Sequence, residues 1–290
     1  MSRKTRPINK DEYRIVDRDA SRAFGTFAPN ALQSLMIAAA QNSFLRRGFF
    51  RKTMARIILG VVGKPIDVMF RGCAFRLRGR NNLIEYGILL NSAYNAVDID
   101  FLLDGMKEGD TFVDVGANIG LYSLPLAKRV GPTGKVVAID ANPLMAVRLS
   151  WNASASDLEN IQIFDCAVSD TQGQGKLNIR KDDIAIVSVS EVASGDIPVR
   201  TLRSVLDEAH VKTIHGLKID IEGHEDKALV PFLDNAPEEM LPKKIIIERP
   251  MADADYPECT AAFARRGYRL AGRTKTNSLY QLEKSPDGTS

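Results

Sequence analysis

Apolar and polar positions follow two regimes that meet near residue 80. Before that point helical spacing dominates. Residues 1–28 are polar, carry few periodic signals and predict loose order. The run ALQSLMIAAA, within 30–40, has helical composition. A second helix is predicted over 43–59, where Leu45, Phe49, Phe50, Met54, Ile57 and Ile58 recur at spacings of three and four. Such a stripe most often marks core packing, with a solvated charged face opposite. Residues 66–79 read as a β-hairpin with Gly72 near its turn. Beyond residue 80, a helical link over 82–105 leads into alternating short apolar runs and helical stretches. Strands are expected at 111–115, 135–140, 161–164, 216–221, 244–248, 268–271 and 278–282. Helices are expected at about 119–130, 143–155, 201–209, 224–235 and 256–266. Continuous apolar strands alternating with helices predict a parallel α/β sheet covered on both faces. The last two strands lie close enough in sequence to pair antiparallel at its edge. The expected division is a basic extension over 1–80 and an α/β domain over 81–290.

Composition narrows the class. The 290 residues are 44% hydrophobic and 26% charged, which excludes wholesale disorder. No apolar run approaches the roughly 18 residues of a membrane-spanning helix. No secretory signal is visible. Cys73, Cys166 and Cys259 are widely spaced and suit a reducing compartment, so a cytoplasmic location is expected. The net charge of +3 is uneven. Residues 1–80 carry 17 Lys/Arg and 5 Asp/Glu, against 22 and 31 in the remainder. A basic front segment suits an anionic partner, whether a membrane surface met peripherally, nucleic acid, an acidic glycan or an acidic carrier protein, or else docking on the acidic remainder of the same chain. Nucleic acid is disfavoured as partner, because no nucleic-acid-binding motif or base pocket is seen.

Two segments carry candidate chemistry. Phe112-Val-Asp114-Val-Gly116-Ala-Asn118-Ile-Gly120 follows a strand and opens a helix, where glycines allow a tight turn against a ligand. It reads DxGxxxG rather than the dinucleotide GxGxxG. An acid at Asp114 opposes a pyrophosphate and suits a cationic amino acid. Asp140 ends the second strand, 20 residues after Gly120, where a carboxylate can accept from ribose hydroxyls. Asp165 and Cys166 end the third, beside an adenine. These acidic strand ends point to S-adenosylmethionine. Leu217-Lys-Ile-Asp220-Ile-Glu222-Gly-His224-Glu225 forms the second segment. There Asp220 and Glu222 share a side if the strand continues, and Asp220, Glu222 or His224 can accept an acceptor's proton. Glu222 or Glu225 can alternatively cap the following helix. Glu248 ends the fifth strand in the same row, either as an acceptor-pocket residue or as the partner of Arg249. The spacing is no recognised metal-ligand set, and no metal is expected.

The first of these segments, preceded by Lys107-Glu-Gly-Asp110, resembles the opening motif of the FkbM-type methyltransferases. The second resembles that family's later hallmark, and Val199–Leu206 resembles its lead-in. The resemblance covers about residues 82–282. It implies the Rossmann-like, seven-stranded class I methyltransferase sheet and methyl transfer from S-adenosylmethionine, usually to a hydroxyl oxygen. It assigns Asp114, Gly116, Asn118 and Gly120 to the methionine end, Asp140 with neighbouring Asn142 to the ribose, and Asp165 and Cys166 to the adenine. It sets Asp220 and Glu222 at the reaction centre. Asp140 departs from the family's commoner Glu, and His224 from a commoner small residue. The expected function is O-methylation of a sugar hydroxyl in a glycan or glycolipid. The alternatives are a nucleic-acid methyltransferase using the basic front segment, or a non-catalytic membrane- or anion-binding protein on this scaffold.

Overall fold

The structure is a computed structural model that describes residues 5–6, 19–46, 48–60, 64–79, 82–180, 187–192, 195–251 and 254–283. Most of the stretch 1–28 lies outside the described residues. Helix α1 (Ala31–Gln41) starts at Asn30, whose side chain accepts from the Gln33 N–H while Gln33 Oε1 accepts from the Asn30 N–H. This reciprocal pair satisfies two otherwise orphaned donors. A 3₁₀ turn (Phe44–Arg46) leads into α2 (Gly48–Gly60). Ala55, Ile58 and Leu59 of α2 are buried, but Phe50 and Ile57 are 49% and 47% exposed. The apolar stripe read from the sequence is therefore wider than the face that packs.

Strands β1 (Ile66–Phe70) and β2 (Cys73–Leu77) form the expected hairpin, Phe70 opposite Cys73. Arg71 and Gly72 both take positive φ, 48° and 74°, as a two-residue turn between twisted strands requires. Arg76 clamps this hairpin to the rest. Its buried guanidinium grips Asp67 at 2.7 and 2.9 Å and donates to the carbonyls of Asp19, Arg22 and Ala23. It lies over the Trp151 ring at 3.8 Å and the Phe27 ring at 4.7 Å. One apolar core runs from Ala40 through Phe75 and Tyr86 to Phe112 and Leu279, so the extension and one face of the main sheet are packed together.

Helices α3 (Leu83–Leu90) and α4 (Ala96–Leu103) precede the sheet. Its elements are β3 (Thr111–Val115), α5 (Ser123–Val130), β4 (Lys135–Ile139), α6 (Pro143–Ala155) and β5 (Ile161–Phe164). A second sheet intervenes, containing β6 (Ala167–Ser169), β7 (Gly173–Arg180), β8 (Val187–Val192) and β9 (Ile197–Thr201). Then come α7 (Leu202–Glu208), β10 (Gly216–Ile219), α8 (Glu225–Asn235), β11 (Lys244–Glu248), α9 (Pro257–Arg265), β12 (Tyr268–Arg273) and β13 (Asn277–Leu282).

The main sheet has strand order β12-β13-β11-β10-β3-β4-β5. All pairs are parallel except those of β13, which runs antiparallel to β11 and β12. This is the class I methyltransferase arrangement. Side chains alternate between two cores. Phe112 and Val136 face the first, while Val113, Val115, Val137 and Ile139 face a second shared with α7, α8 and α9. Register positions the site. Val115 lies opposite both Ile139 and Ile219, Ile139 opposite Phe164, and Ile219 opposite Ile247. The residues following five strands therefore emerge at one edge. Ligands of open parallel sheets bind at that edge, beyond the strands' carboxyl ends.

Candidate active site

A cavity of about 390 Å³ opens at this edge, within the size range of small-molecule sites. Its floor is the loop after β3. Gly116 has φ +79°, and a Cβ there would fall 1.9 Å from the Asp220 carbonyl oxygen. Only glycine lets this loop lie against the one after β10. The N–H groups of Gly116 and Ala117 donate to the Ile139 carbonyl at 2.8 and 3.0 Å, and Asp220 N–H donates to Val115 at 3.0 Å. Asp140 knits two loops: Oδ2 accepts from the Asn118 N–H at 2.7 Å and Oδ1 from the Asn142 N–H at 2.8 Å. Burial raises its carboxyl to about 6 against those stabilising N–H groups.

Eight of the sequence-predicted residues line the cavity: Gly116, Asn118, Asp140, Cys166, Asp220, Glu222, His224 and Glu248. The other four lie behind or beside it. Asp114 is fully buried under the loop, with Oδ2 accepting from Ser123 Oγ at 2.5 Å and Oδ1 lacking a hydrogen bond. Gly120 has φ +95° and abuts Leu124. Asn142 caps α6 by accepting from the Leu144 N–H at 3.1 Å. Asp165 is exposed. Cys166 is walled in, and burial pushes its thiol up to about 12. At neutral pH it is a small apolar surface rather than a nucleophile.

One end of the cavity fits the nucleoside part of S-adenosylmethionine. Val115, Ile139, Ala141, Val168 and Val199 give it apolar walls. Each Asp140 oxygen accepts one backbone N–H and keeps capacity for another donor, as a ribose diol needs.

The other end is acidic. The strand ends at Ile219, so Asp220 and Glu222 are not aligned by strand alternation. A turn brings them together: Glu222 takes φ +58°, and buried Glu225 accepts from the N–H groups of Ile221 and Gly223 at 2.8 and 2.9 Å. Glu225 thus shapes the turn that carries Glu222 and His224. Carboxylate oxygens of Asp220, Glu222 and Glu248 all lie within 4.8 Å of one another, close enough to serve one cation. Burial, then the charge and hydrogen bond of Asp220, push Glu248 up to about 10. Glu248 therefore holds a proton at neutral pH, hydrogen-bonded to Asp220.

That proton has a stability consequence. Folded Glu248 stays protonated between its ordinary 4.5 and about 10, where the unfolded chain has lost the proton. Its contribution is complete below that window and falls as pH rises through it. Glu248→Gln mimics the protonated form. Its melting temperature should gain several degrees on wild type between about pH 6 and about pH 9. Equal pH dependence of the two melting temperatures in calorimetry would contradict a proton held on Glu248.

Sequence reasoning did not single out Lys218. It is buried on β10, with Nζ donating to the Gly116 carbonyl at 2.8 Å and lying 3.6 Å from Asp220 and 3.8 Å from Asp114. Burial alone would lower its pKa. The charges of Asp220, Asp114, Glu248 and Asp140 outweigh that and leave it above the usual value. A lysine inside an apolar strand was the available signal. A polar wall was also missed. Asn95 Nδ2 donates to the Tyr122 hydroxyl at 2.8 Å, and that hydroxyl donates to Asp98 at 3.2 Å. Asn277 Nδ2 also donates to Asp98, at 2.7 Å. Asn95, Tyr122 and Asn277 line the cavity from three distant parts of the chain.

Comparison with known proteins agrees with the fold. The family described as the methyltransferase FkbM domain matches residues 114–270, more than half of the chain. Among curated proteins, the 23S rRNA (uracil(1939)-C(5))-methyltransferase RlmD of Psychrobacter arcticus is 34% identical over 80 residues, 26% of this chain and 15% of that protein. The arsenite methyltransferase of Halobacterium salinarum is 33% identical over 57 residues, 20% of this chain and 15% of that protein. The matches thus span only a small part of these relatives. Among solved structures, a SAM-dependent O-methyltransferase of Thermotoga maritima is 15% identical with TM-score 0.41, covering 66% of each chain. A SAM-dependent methyltransferase of Aquifex aeolicus is 20% identical with TM-score 0.35, covering 64% of this chain and 87% of that one. Sheet order, glycine loop and family match together assign the chain to the FkbM methyltransferase family, whose methyl donor is S-adenosylmethionine.

Proposed function

We propose that the chain methylates a hydroxyl oxygen of a carbohydrate acceptor, in a glycan or glycolipid. The observation that carries this reading is Asp220 hydrogen-bonded to a protonated Glu248, in one cavity with the Asn95–Tyr122–Asn277 wall. A hydroxyl nucleophile has a proton to lose, and a carboxylate pair holding one proton has room for another. Amide and phenol groups in the same cavity suit the hydroxyls of a sugar.

S-adenosylmethionine, when bound, supplies an activated methyl carbon on a cationic sulfur. In this reading Asp140 accepts from its ribose and Gly116–Asn118 lie along its amino acid portion. Asp114 acts from below, through Ser123 and Lys218, to fix the loop. Asp220 would take the acceptor's hydroxyl proton as that oxygen gains the methyl group, Glu248 stays protonated beside it so that the two acids end uncharged, and Glu222 and His224 border the acceptor. The enzyme's main work is alignment, because the donor is already activated.

The test is transfer of radiolabelled methyl from S-adenosylmethionine to purified glycolipids, free glycans and total RNA in parallel. The expected result is alkali-stable label on the carbohydrate fractions. Label confined to RNA, or to an alkali-labile ester, would overturn the acceptor reading.

A further inference from the structure

We infer that α1, the Phe44–Arg46 turn and α2 form a docking face for an anionic lipid bilayer at the mouth of the cavity. The inference deepens the proposed function, because it places the acceptor on a membrane surface. Five of the nine exposed large apolar side chains among the described residues fall here: Leu32, Leu35, Phe44, Phe50 and Ile57. Phe44 and Phe50 meet edge to face, with ring centroids 5.3 Å apart, which joins the turn to α2. Helix α1 packs against both. Residues 23–45 contain no charged side chain and no histidine, although α1 exposes a full face to solvent. An uncharged, leucine-bearing face is costly in water and suits the boundary between headgroups and acyl chains.

Charge selects the kind of bilayer. Between Asp19 and Asp67 the chain has seven Lys/Arg and no Asp or Glu. On α2, Arg56 is exposed beside Ile57, and Lys52 is half-buried on the neighbouring flank. Cations that flank exposed aromatic and aliphatic groups match a surface of anionic headgroups. Nucleic acid fits less well, because its phosphates reward cations and leave Leu32 and Leu35 unused. Position connects the face to chemistry. Arg51, also on α2, lines the cavity with its guanidinium 5.8 Å from the Tyr94 ring, and Tyr94 lines it as well. One helix therefore borders both the docking face and the cavity mouth.

The test is co-sedimentation of the full chain with vesicles of phosphatidylcholine, alone or with phosphatidylglycerol. Wild type should pellet with the anionic vesicles and stay in solution with the neutral ones. Leu35→Glu/Phe44→Glu changes two side chains that are 68% and 67% exposed, so the fold should survive. It should bind anionic vesicles at least about tenfold less, with unchanged affinity for S-adenosylhomocysteine. Lys52→Glu should weaken binding about fivefold or more and make what binding remains less sensitive to salt. Wild type that ignores anionic vesicles, a double variant that pellets equally, or a solution dimer dissociated by the same double variant would overturn the inference. So would tighter binding to duplex RNA than to anionic vesicles. Vesicle binding without S-adenosylhomocysteine affinity would leave the docking face intact and overturn the methyl-transfer reading instead.

Discussion

Asp220→Asn is expected to slow methyl transfer by about 10²- to 10⁴-fold, the usual contribution of a positioned general base. Affinity for S-adenosylhomocysteine should stay within about threefold of wild type, because the loss is confined to the transition state. The backbone of Asp220 already serves the fold, since its carbonyl lies against Gly116 and its N–H donates to Val115. The amide keeps both, and it keeps a group able to hydrogen-bond Glu248. What disappears is the charge that would receive the acceptor's proton. Single-turnover transfer to the proposed carbohydrate acceptor, beside calorimetry with S-adenosylhomocysteine, separates the two quantities. Activity within tenfold of wild type would remove Asp220 from the base role. A parallel collapse of cofactor affinity would make it a structural residue of the loop.

The site was legible in the sequence to the extent that it is built from strand ends. An apolar run that stops at Asp, Gly or Glu marks where a parallel strand leaves the sheet, and in-register pairing brings Gly116, Asp140, Asp220 and Glu248 to one edge. The cavity's other wall was not legible, because Asn95, Tyr122 and Asn277 meet only through tertiary packing. The second sheet was missed for a different reason. The sequences GQGKLNIR and VSVSEV have little continuous apolar character, so they lack the signature of a buried strand. Periodicity also overstated the packing of α2. It shows that Phe50 and Ile57 share a helix flank, but not that a neighbour covers it. Asp114 shows the same limit from inside. Its place in a glycine motif suggested ligand contact, yet alternation along β3 turns it into the protein beneath the loop.

Lys218→Met is expected to destabilise the protein by about 3–5 kcal/mol, the usual cost of stripping one partner from a buried ionic group. The lysine ammonium is the charge that faces Asp114 and Asp220 together, and it also donates to the Gly116 carbonyl at the tightest point of the glycine loop. Methionine fills similar volume but supplies neither charge nor donor. Asp114 then sits buried with one oxygen bonded to Ser123 and the other without any compensating cation. Its carboxyl, already raised by burial against the pull of Lys218, should rise further and take up a proton. The variant's stability should therefore fall as pH rises, because folded Asp114 holds a proton that the unfolded chain releases. A double-mutant cycle isolates the cause. If the Asp114–Lys218 pair carries the loss, Asp114→Asn in the Lys218→Met background should cost far less than Asp114→Asn alone. Strict additivity in denaturant titrations would mean that Lys218 acts through the Gly116 carbonyl and Asp220 and not through Asp114. A stability loss below about 1 kcal/mol would mean that the buried cation does not hold the two loops together.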